Sequence, residues 1–442
     1  MKNWIRIVTG GIIVVMFLGA LTGCKTQEAA KKQITLRVKI PPLTVANADT
    51  GITDSYEVLS KAGQEFAAQY TECDVTVEVV KFGYTEEDEY ITGCFDTDDA
   101  ADILLEGYFN MSGYIHTGRV VPLDDIITEE MRADVDDMLW KMSQVEGKTY
   151  MLPYYSLQNT LIYNRDLFRQ CGLAEYVGED GTIQNWTPEE WEHILSTLAA
   201  GLPEMTYPML MYAKNDQGDT HIMTLLRSKG SPFFDENGRF NLNTKEGIAA
   251  LQWIADSYQK SYFPAGCENM EIVDCSDLFT NNQLAIYMAN SATLPGMDRS
   301  STGVANFPSL NGNGYNTSFV TGFEIFDNGD QEKVQAAKDF LRYFMSNEEL
   351  MNYAQVGIPA SNATAERVSQ YIFMQEAYTA NAGNTVDFTA NNPNWRGVRD
   401  VFYTHIHELL VGTKTPQEVA EALDKECNAA IETGWKTSKL HQ

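Results

Sequence analysis

The chain has 442 residues, of which 44% are hydrophobic and 11% aromatic, enough for two or three domains with ordinary buried cores. Its 61 Asp and Glu residues outnumber 32 Lys and Arg residues, which gives a formal net charge of −29. This charge argues against nucleic acid as the main partner, because clustered Lys and Arg hold a phosphate backbone. The apolar content argues against a disordered polyanion, and the charge suits a monomer that repels its own copies.

Residues 1–24 have the pattern of an export signal. Lys2 and Arg6 precede an apolar run over residues 7–18, which is shorter than a membrane-spanning helix of about 20 residues. Leu21-Thr22-Gly23-Cys24 then resembles the bacterial lipobox, which implies that Cys24 is lipidated and becomes the new N-terminus. We therefore expect a signal peptide over residues 1–23, a tether over 24–33, and a lipid anchor on the extracytoplasmic face of the cell membrane. The alternative is an uncleaved N-terminal anchor.

The stretches that follow the tether alternate between strand and helix patterns. Residues 34–40 and 74–82 alternate apolar and polar side chains, as half-buried strands do, and residues 102–105 form a short apolar strand. Between the first two strands, residues 54–70 carry apolar side chains at helical spacing. Strand, helix and strand in this order predict the start of a doubly wound α/β domain.

Three later helix starts carry explicit capping residues. Thr187 and Thr415 are each followed by Pro and, three residues on, by Glu, while Thr244 precedes an amphipathic helix. Residues 235–238 predict a turn between two short strands. Helices dominate the second half of the chain.

The sequence motifs that resemble catalytic or metal-binding sites are each incomplete or lie in an unsuitable context. Ser257 and Lys260 match the SxxK spacing of penicillin-recognising enzymes, but they lie inside the amphipathic helix and the companion motifs are absent from the sequence. Asp124 and Asp125 resemble an acid/base pair, but their place between apolar residues predicts a helix cap. We therefore expect no catalytic residues, no cofactor and no metal site.

Four groups of residues in the mature chain form a set. They are Asp102-Ile103-Leu104 with Gly118-Arg119-Val120-Val121-Pro122-Leu123, Gly147-Lys148-Thr149-Tyr150-Met151-Leu152-Pro153 with Leu161-Ile162-Tyr163-Asn164-Arg165-Asp166-Leu167-Phe168, Leu278-Phe279 with Ala285-Ile286-Tyr287-Met288, and Ala336-Ala337 with Gly357-Ile358-Pro359-Ala360. Together these groups resemble the extracellular solute-binding proteins of bacterial ABC importers, in the sugar-binding group that includes maltose-binding protein. Order and spacing agree across nearly the whole mature chain, and the second group is the most specific.

This resemblance implies an α/β fold of two lobes joined by a hinge that the chain crosses three times, with a helix-rich second lobe. The crossings are expected over residues 153–160, 318–322 and 356–360. The N-terminal lobe then comprises residues 34–152 plus 322–356, and the C-terminal lobe comprises residues 153–321 plus 357–442. A ligand lies between the lobes and must bind the closed state better than the open one.

A neutral sugar needs aromatic rings for its apolar faces and planar polar groups for its hydroxyls, because unmet polar groups are costly. In α/β lobes, such groups follow the carboxyl ends of strands. This rule, applied to the strands and the hinge, selects Tyr84, Glu106, Tyr108, Tyr154, Tyr155 and Asn159. The resemblance adds Asn290, Phe323 and Trp395.

The leading hypothesis is a lipid-anchored receptor that captures a sugar or oligosaccharide and delivers it to the transmembrane subunits of an ABC permease. Two alternatives stay open. An extracytoplasmic glycan-processing enzyme needs two carboxylates about 5–10 Å apart, of which Glu106 could be one. A receptor that hands its ligand to a sensor kinase uses the same closed state as a transport receptor.

Overall fold

A computed structural model describes residues 31–43, 51–83, 87–211, 218–352 and 357–441. The strands are β1 (Gln33–Ile40), β2 (Asp74–Lys81), β3 (Ile103–Gly107), β4 (Gln144–Val145), β5 (Lys148–Thr149), β6 (Leu152–Asn164), β7 (Ile183–Gln184), β8 (Tyr207–Met209), β9 (Leu284–Asn290), β10 (Thr302–Ala305), β11 (Thr317–Ile325) and β12 (Ile358–Pro359). The helices are α1 (Ser55–Gln69), α2 (Glu87–Gly93), α3 (Tyr108–His116), α4 (Glu129–Ala133), α5 (Asp137–Met142), α6 (Arg165–Gln170), α7 (Pro188–Gly201), α8 (Gly218–Ser228), α9 (Lys245–Gln259), α10 (Ile272–Thr280), α11 (Gln331–Ser346), α12 (Glu348–Met351), α13 (Asn362–Val368), α14 (Gln375–Ala380), α15 (Trp395–Leu410) and α16 (Pro416–Thr437).

The first lobe is built on parallel strands in the order β2-β1-β3, with β11 added antiparallel to β3. α1 connects β1 to β2 and buries Val58, Leu59 and Phe66 against the sheet. The predictions of strands over residues 34–40, 74–82 and 102–105, and of a helix over residues 54–70, are confirmed. The alternation of apolar side chains therefore located this lobe's first elements.

Two long strands carry the chain between the halves of the molecule. The first half of β6 pairs with β11, whereas its second half pairs with β9 and β10. β12 lies on the other edge of β6, where Ile358 and Pro359 pair with Ser156 and Tyr155. The segments expected to cross the hinge thus run side by side, and this arrangement confirms a two-lobed α/β fold with three crossings.

The second lobe is rich in helices, as expected. Thr187, Thr244 and Thr415 cap α7, α9 and α16, and each threonine side chain accepts a hydrogen bond from a backbone N–H in the first turn of its helix. The two helices with Pro in the first turn also have the returning Glu. No helix among the residues with assigned structure is long and apolar enough to cross a membrane.

Two local predictions need correction. Residues 235–238 do form a turn, but only a single bridge between Phe234 and Phe240 flanks it instead of two strands. Asp124 does not cap a helix, because its carboxylate accepts a hydrogen bond from the Thr149 N–H, at 3.1 Å. Asp125 instead pairs with Lys338, at 2.8 Å. Both carboxylates therefore tie a short 3-10 turn to neighbouring elements.

One feature of the fold positions the site: α3 of the first lobe runs beside the two C-terminal helices, α15 and α16. Ser112 on α3 donates a hydrogen bond from its Oγ to the Asn391 carbonyl oxygen, at 2.7 Å. Farther along α3, the His116 carbonyl oxygen accepts a hydrogen bond from the Lys439 N–H, at 2.8 Å. The two lobes therefore meet along α3.

Candidate functional site

A groove of ≈ 250 Å³ lies where α3 faces the start of α15. We call it the α3–α15 groove. Both lobes contribute to its walls, so its shape depends on how the lobes sit against each other. The first lobe supplies Thr92, Phe109, Asn110, Gly113 and Tyr114, and the second supplies Pro393, Asn394, Trp395 and Arg396.

Local chain geometry explains why these residues reach the groove. β3 ends at Gly107 and α3 begins at the next residue, so the first turn of α3 follows the carboxyl end of a buried strand. α15 begins at Trp395, and the side chain of Asn394 caps it by accepting a hydrogen bond from the Gly397 N–H. Since both helices start at the groove, side chains of their first turns line it.

Aromatic rings from the two lobes form a continuous cluster at the groove. The ring centroid of Phe109 lies 5.1 Å from that of Phe388, and the Phe388 ring lies 5.6 Å from the Trp395 ring. Tyr108 reaches the same Phe388 ring edge-on, at 6.1 Å. Aromatic faces of this kind suit a ligand with apolar ring faces.

Two buried donors beside this cluster lack hydrogen-bond partners among the described residues. They are the indole Nε1 of Trp395, which is 4% exposed, and the side-chain Nδ2 of Asn392, which is 3% exposed. A buried donor that loses its water without gaining an acceptor is costly. Of these two residues, Trp395 lines the α3–α15 groove, where a ligand oxygen would give its indole N–H an acceptor.

Glu106 closes β3 and is 7% exposed. Its Oε1 accepts a hydrogen bond from the Gly107 N–H, at 2.5 Å. The carboxylate is therefore held at the point where the strand becomes α3. Glu106 is not among the residues that line the α3–α15 groove, and the described lining includes no Asp or Glu.

The predicted hinge residues lie on the paired strands. Tyr155 faces Thr321 and Pro359 across the ladder, and Asn159 pairs with Asn290 where β6 meets β9. The Asn290 side chain accepts hydrogen bonds from the Ala292 N–H, at 3.0 Å, and from a neighbouring threonine hydroxyl. Asn290 thereby fixes the turn after β9.

Tyr154 and Phe323 lie in the core of the first lobe rather than at the groove. Their ring centroids are 5.1 Å apart, and both rings contact Phe344 of α11. Complete burial raises the pKa of the Tyr154 hydroxyl above its ordinary value. This position favours packing over ligand contact. Tyr84, also predicted to contact the ligand, falls outside the described residues, as does Cys24.

Of the predicted residues, Trp395 lines the groove and Tyr108 contacts the same Phe388 ring without lining it, and the structure adds residues that the sequence pattern missed. Phe109 and Asn110 line the groove because α3 starts immediately after β3 and turns these two side chains toward α15. Helical periodicity continued one turn past the strand end could have found them. Within the part of the chain that the structure describes, no group of three or more His, Cys, Asp or Glu residues could hold a metal ion.

Comparison with known proteins shows which proteins share this sequence pattern and this architecture. Residues 50–351 match the family described as "Bacterial extracellular solute-binding protein". The diacetylchitobiose binding protein DasA of Streptomyces coelicolor is 21% identical over 436 residues, covering 95% of this chain and 97% of that protein. The sugar-binding protein MalE from Xanthomonas citri has a similar structure, with a TM-score of 0.72 at 16% identity over 90% of this chain and 98% of that one. The cyclic alpha-maltosyl-1,6-maltose binding protein from Arthrobacter globiformis gives a TM-score of 0.71 at 18% identity, over 91% of this chain and 100% of that one.

Proposed function

The chain belongs to the bacterial extracellular solute-binding proteins, and we propose that it captures a neutral sugar or oligosaccharide in the α3–α15 groove and delivers it to an ABC permease. Membership of this family implies a substrate-binding protein that works outside the cytoplasm. The diacetylchitobiose-binding relative and the sugar-binding structural neighbours support a carbohydrate as the ligand. Release of an unchanged ligand to a permease is the step that turns binding into transport.

One observation carries the proposal: aromatic rings from both lobes meet at a groove lined by Trp395, whose indole N–H has no hydrogen-bond partner among the described residues. Phe109 comes from the first lobe, and Phe388 and Trp395 come from the second. A sugar offers apolar ring faces to the aromatic side chains and a hydroxyl oxygen to the Trp395 indole N–H. The residue types of the groove therefore match the chemistry of a carbohydrate.

Contributions from two lobes also explain how a ligand drives closure. A ligand shifts an open–closed equilibrium only by its difference in affinity for the two states. A sugar held by Phe109 alone, or by Trp395 alone, would favour neither state. A sugar held by both residues binds the closed state better, so binding and closure are coupled.

A melting-shift panel tests the proposal on the purified protein. The panel contains glucose, maltose, N,N′-diacetylchitobiose, a tripeptide and spermidine. A ligand at 100 times its Kd stabilises the folded state by about 2.7 kcal/mol, which raises Tm by several degrees. We expect at least one neutral sugar to give this shift in the unmodified chain and the same sugar to give a clearly smaller shift in Trp395→Ala. A shift with the tripeptide or spermidine alone would contradict a sugar ligand.

The membrane attachment is proposed from the sequence, because Leu21-Thr22-Gly23-Cys24 resembles the lipobox. Two acyl chains hold a protein at a membrane firmly, since each buried CH₂ contributes about 0.8 kcal/mol. We expect Cys24→Ser to abolish incorporation of labelled palmitate and to release the protein from the membrane fraction. Retention of the label would locate the lipid elsewhere.

Delivery and oligomeric state have their own tests. Cells that lack the gene for this protein should take up less of the radiolabelled sugar that the panel identifies. Normal uptake by these cells would contradict delivery to a permease. A net charge of −29 favours a monomer, because copies of the protein repel one another. Light scattering should therefore give a mass near 49.5 kDa for the full chain, and twice that mass would show a dimer.

A further inference from the structure

Buried amide side chains meet where the second lobe joins the strands that cross between the lobes. They are Gln158 on β6, Asn306 after β10, Asn316 before β11 and Asn381 after α14, and each is at most 6% exposed. We call them the amide cluster. A buried polar network in which each group has its partners fixes the segments that carry it in one arrangement. Since the four residues come from four separate segments, the cluster joins these segments to one another.

Asn381 lies at the centre of the amide cluster. Its side-chain Nδ2 donates hydrogen bonds to the Gln158 Oε1, at 3.2 Å, and to the Asn306 Oδ1, at 2.9 Å. Its Oδ1 accepts hydrogen bonds from the Asn306 Nδ2, at 2.8 Å, and from the Asn384 Nδ2, at 2.9 Å. A primary amide offers two N–H groups and two acceptor lone pairs, so this side chain uses all of its hydrogen-bonding capacity. Its orientation is therefore set by β6 and by the residue after β10.

A segment that begins at Asn381 pairs with the start of β11. The Asn316 N–H donates a hydrogen bond to the Asn384 carbonyl oxygen, at 3.1 Å, and the Val386 N–H donates one to the Asn316 carbonyl oxygen, at 2.8 Å. Between them, the Thr385 Oγ1 donates to the Asn316 Oδ1, at 2.9 Å. The Asn316 Nδ2 in turn donates to the Asn381 carbonyl oxygen, at 3.0 Å. This segment is therefore attached to β11 through both its backbone and its side chains.

The helix that precedes this segment, α14, is attached to β6. The Gln158 Nε2 donates a hydrogen bond to the Tyr378 carbonyl oxygen, at 2.6 Å. The Tyr378 hydroxyl lies 3.0 Å from the Thr160 Oγ1, in a hydrogen bond to which either group can be the donor. Tyr378 is in α14 and is fully buried. The hinge strands β6 and β11 thus both hold α14 and the residues that follow it.

Phe388 connects this segment to the α3–α15 groove. Its fully buried ring contacts two rings that line the groove, Phe109 of the first lobe at 5.1 Å and Trp395 of the second lobe at 5.6 Å. Because Phe109 and Phe388 belong to different lobes, their contact is part of the closed arrangement. A shift of residues 381–386 would move Phe388 away from Phe109 and weaken that arrangement.

We infer that Asn381 is a positioning residue for ligand binding: through the amide cluster, it holds Phe388 against Phe109 in the closed arrangement. This inference rests on the proposed function, in which closure and ligand binding are coupled, and it adds a determinant of affinity outside the groove. Asn381 and Thr385 are not among the described residues that line the groove. Both residues therefore act on affinity through Phe388 and not through contact with the ligand.

A double-mutant cycle on sugar affinity tests the inference. The probe is whichever of glucose, maltose and N,N′-diacetylchitobiose gives the largest melting shift, and titration calorimetry measures its affinity. Thr385→Val keeps the shape of the side chain but removes the donor to the buried Asn316 Oδ1. We expect it to weaken binding by about threefold to tenfold, and Asn381→Ala to weaken binding at least as much. In a Phe388→Leu background, Thr385→Val should cause no further loss of affinity.

Thr224→Val is the matched control. Thr224 is a fully buried threonine of α8 in the same lobe, and its Oγ1 donates a hydrogen bond to the Thr220 carbonyl oxygen, at 2.6 Å. The control removes a buried donor, as Thr385→Val does, but it lies outside the amide cluster. Its sugar affinity should therefore stay within about twofold of the parent value. Thr385→Val decides the test if Asn381→Ala fails to fold.

The outcomes separate this inference from the proposed function. Equal affinities in Thr385→Val and the parent, an equal loss in Thr224→Val, or a loss of the same size with and without Phe388 would overturn the inference and leave a sugar receptor in place. Binding of none of the three sugars would count against the proposed function, and small-angle scattering of the sugar-free protein would then decide the inference. A larger radius of gyration in Thr385→Val, but not in Thr224→Val, would support it, and equal radii would overturn it.

Discussion

Phe109 and Phe388 face each other across the two lobes, with ring centroids 5.1 Å apart and ring planes at 40°. Phe388 in turn lies 5.6 Å from Trp395, so the second lobe presents two rings to one ring of the first. Opening the lobes at this point would separate the rings and expose their apolar faces to water. The aromatic cluster therefore links the geometry of closure to the place where the ligand binds.

The aromatic rings should dominate the affinity. We expect Trp395→Ala and Phe109→Ala each to weaken sugar binding by about tenfold to a hundredfold, because a buried aromatic contact contributes about 1–3 kcal/mol. Titration calorimetry with the sugar found in the melting-shift panel measures the change. Tyr56→Ala removes an exposed aromatic residue of α1 and is the control. Equal affinities in all three variants would place the ligand elsewhere.

The hydrogen bond from Ser112 to the Asn391 carbonyl oxygen should stabilise the closed arrangement. Ser112→Ala removes the donor, and a net loss of about 1 kcal/mol corresponds to roughly fivefold weaker ligand binding. Small-angle scattering should also show a larger radius of gyration at subsaturating sugar. Ser196→Ala, at an exposed serine of α7 that bonds only within its own helix, is the control. Unchanged affinity would show that the bond persists in both states.

Glu324 is a buried carboxyl group that weakens the fold at neutral pH. It lies in β11 opposite Leu104, is 0% exposed, and neither carboxyl oxygen has a hydrogen-bond partner among the described residues. Burial raises its pKa well above the ordinary value of 4.5. Above pH 4.5, the Glu324 carboxyl group loses its proton in the unfolded chain but keeps it in the folded chain. The free energy of unfolding therefore falls as pH rises from 4.5 toward the raised pKa, by about 1.4 kcal/mol per pH unit.

Glu324→Met tests this pH dependence. We expect the variant to be more stable than the parent by about 1–3 kcal/mol at neutral pH, with a smaller advantage at pH 4.5. Urea unfolding at the two pH values measures the difference. Glu366→Met, at an exposed position of α13, should show no such pH-dependent gain. A loss of stability in Glu324→Met at neutral pH would show that the carboxyl group has a favourable partner.

The cysteines should be free thiols of very different reactivity. Cys267 and Cys275 are buried, and burial raises the pKa of Cys267 to about 12. Because the thiolate is the reactive form, these thiols should react with Ellman's reagent only after unfolding. Cys94 is partly exposed and should react first. In a Cys24→Ser chain, urea should reveal six thiols, and fewer than six would reveal a disulfide.

Much of the fold could be predicted from local patterns. Alternation of apolar residues located β1 and β2, and capping threonines located the starts of α7, α9 and α16, because these signals act over a few residues. The prediction that Asp124 and Asp125 cap a helix was wrong, because their partners, Thr149 and Lys338, come from distant parts of the sequence. Tertiary contacts of this kind leave no local pattern.

The site could be predicted only in part. The rule that ligand-binding groups follow the carboxyl ends of strands selected Tyr108 but not the next residue, Phe109. The rule could not show that α3 begins directly after β3, with no loop between them. The same rule could not separate Tyr154 from Tyr155, which neighbour each other on β6 but face different surroundings. The chain after α16 reaches back to α3, where the Lys439 N–H donates a hydrogen bond to the His116 carbonyl oxygen, and nothing in the sequence near His116 signals that contact.

A crystal structure of the protein with the bound sugar tests the central claim most directly. We expect density for a sugar ring between Phe109 and Trp395, with a hydroxyl oxygen within hydrogen-bond distance of the Trp395 Nε1. Density for an intact sugar elsewhere on the molecule, or for a cleaved glycan in the groove, would contradict it.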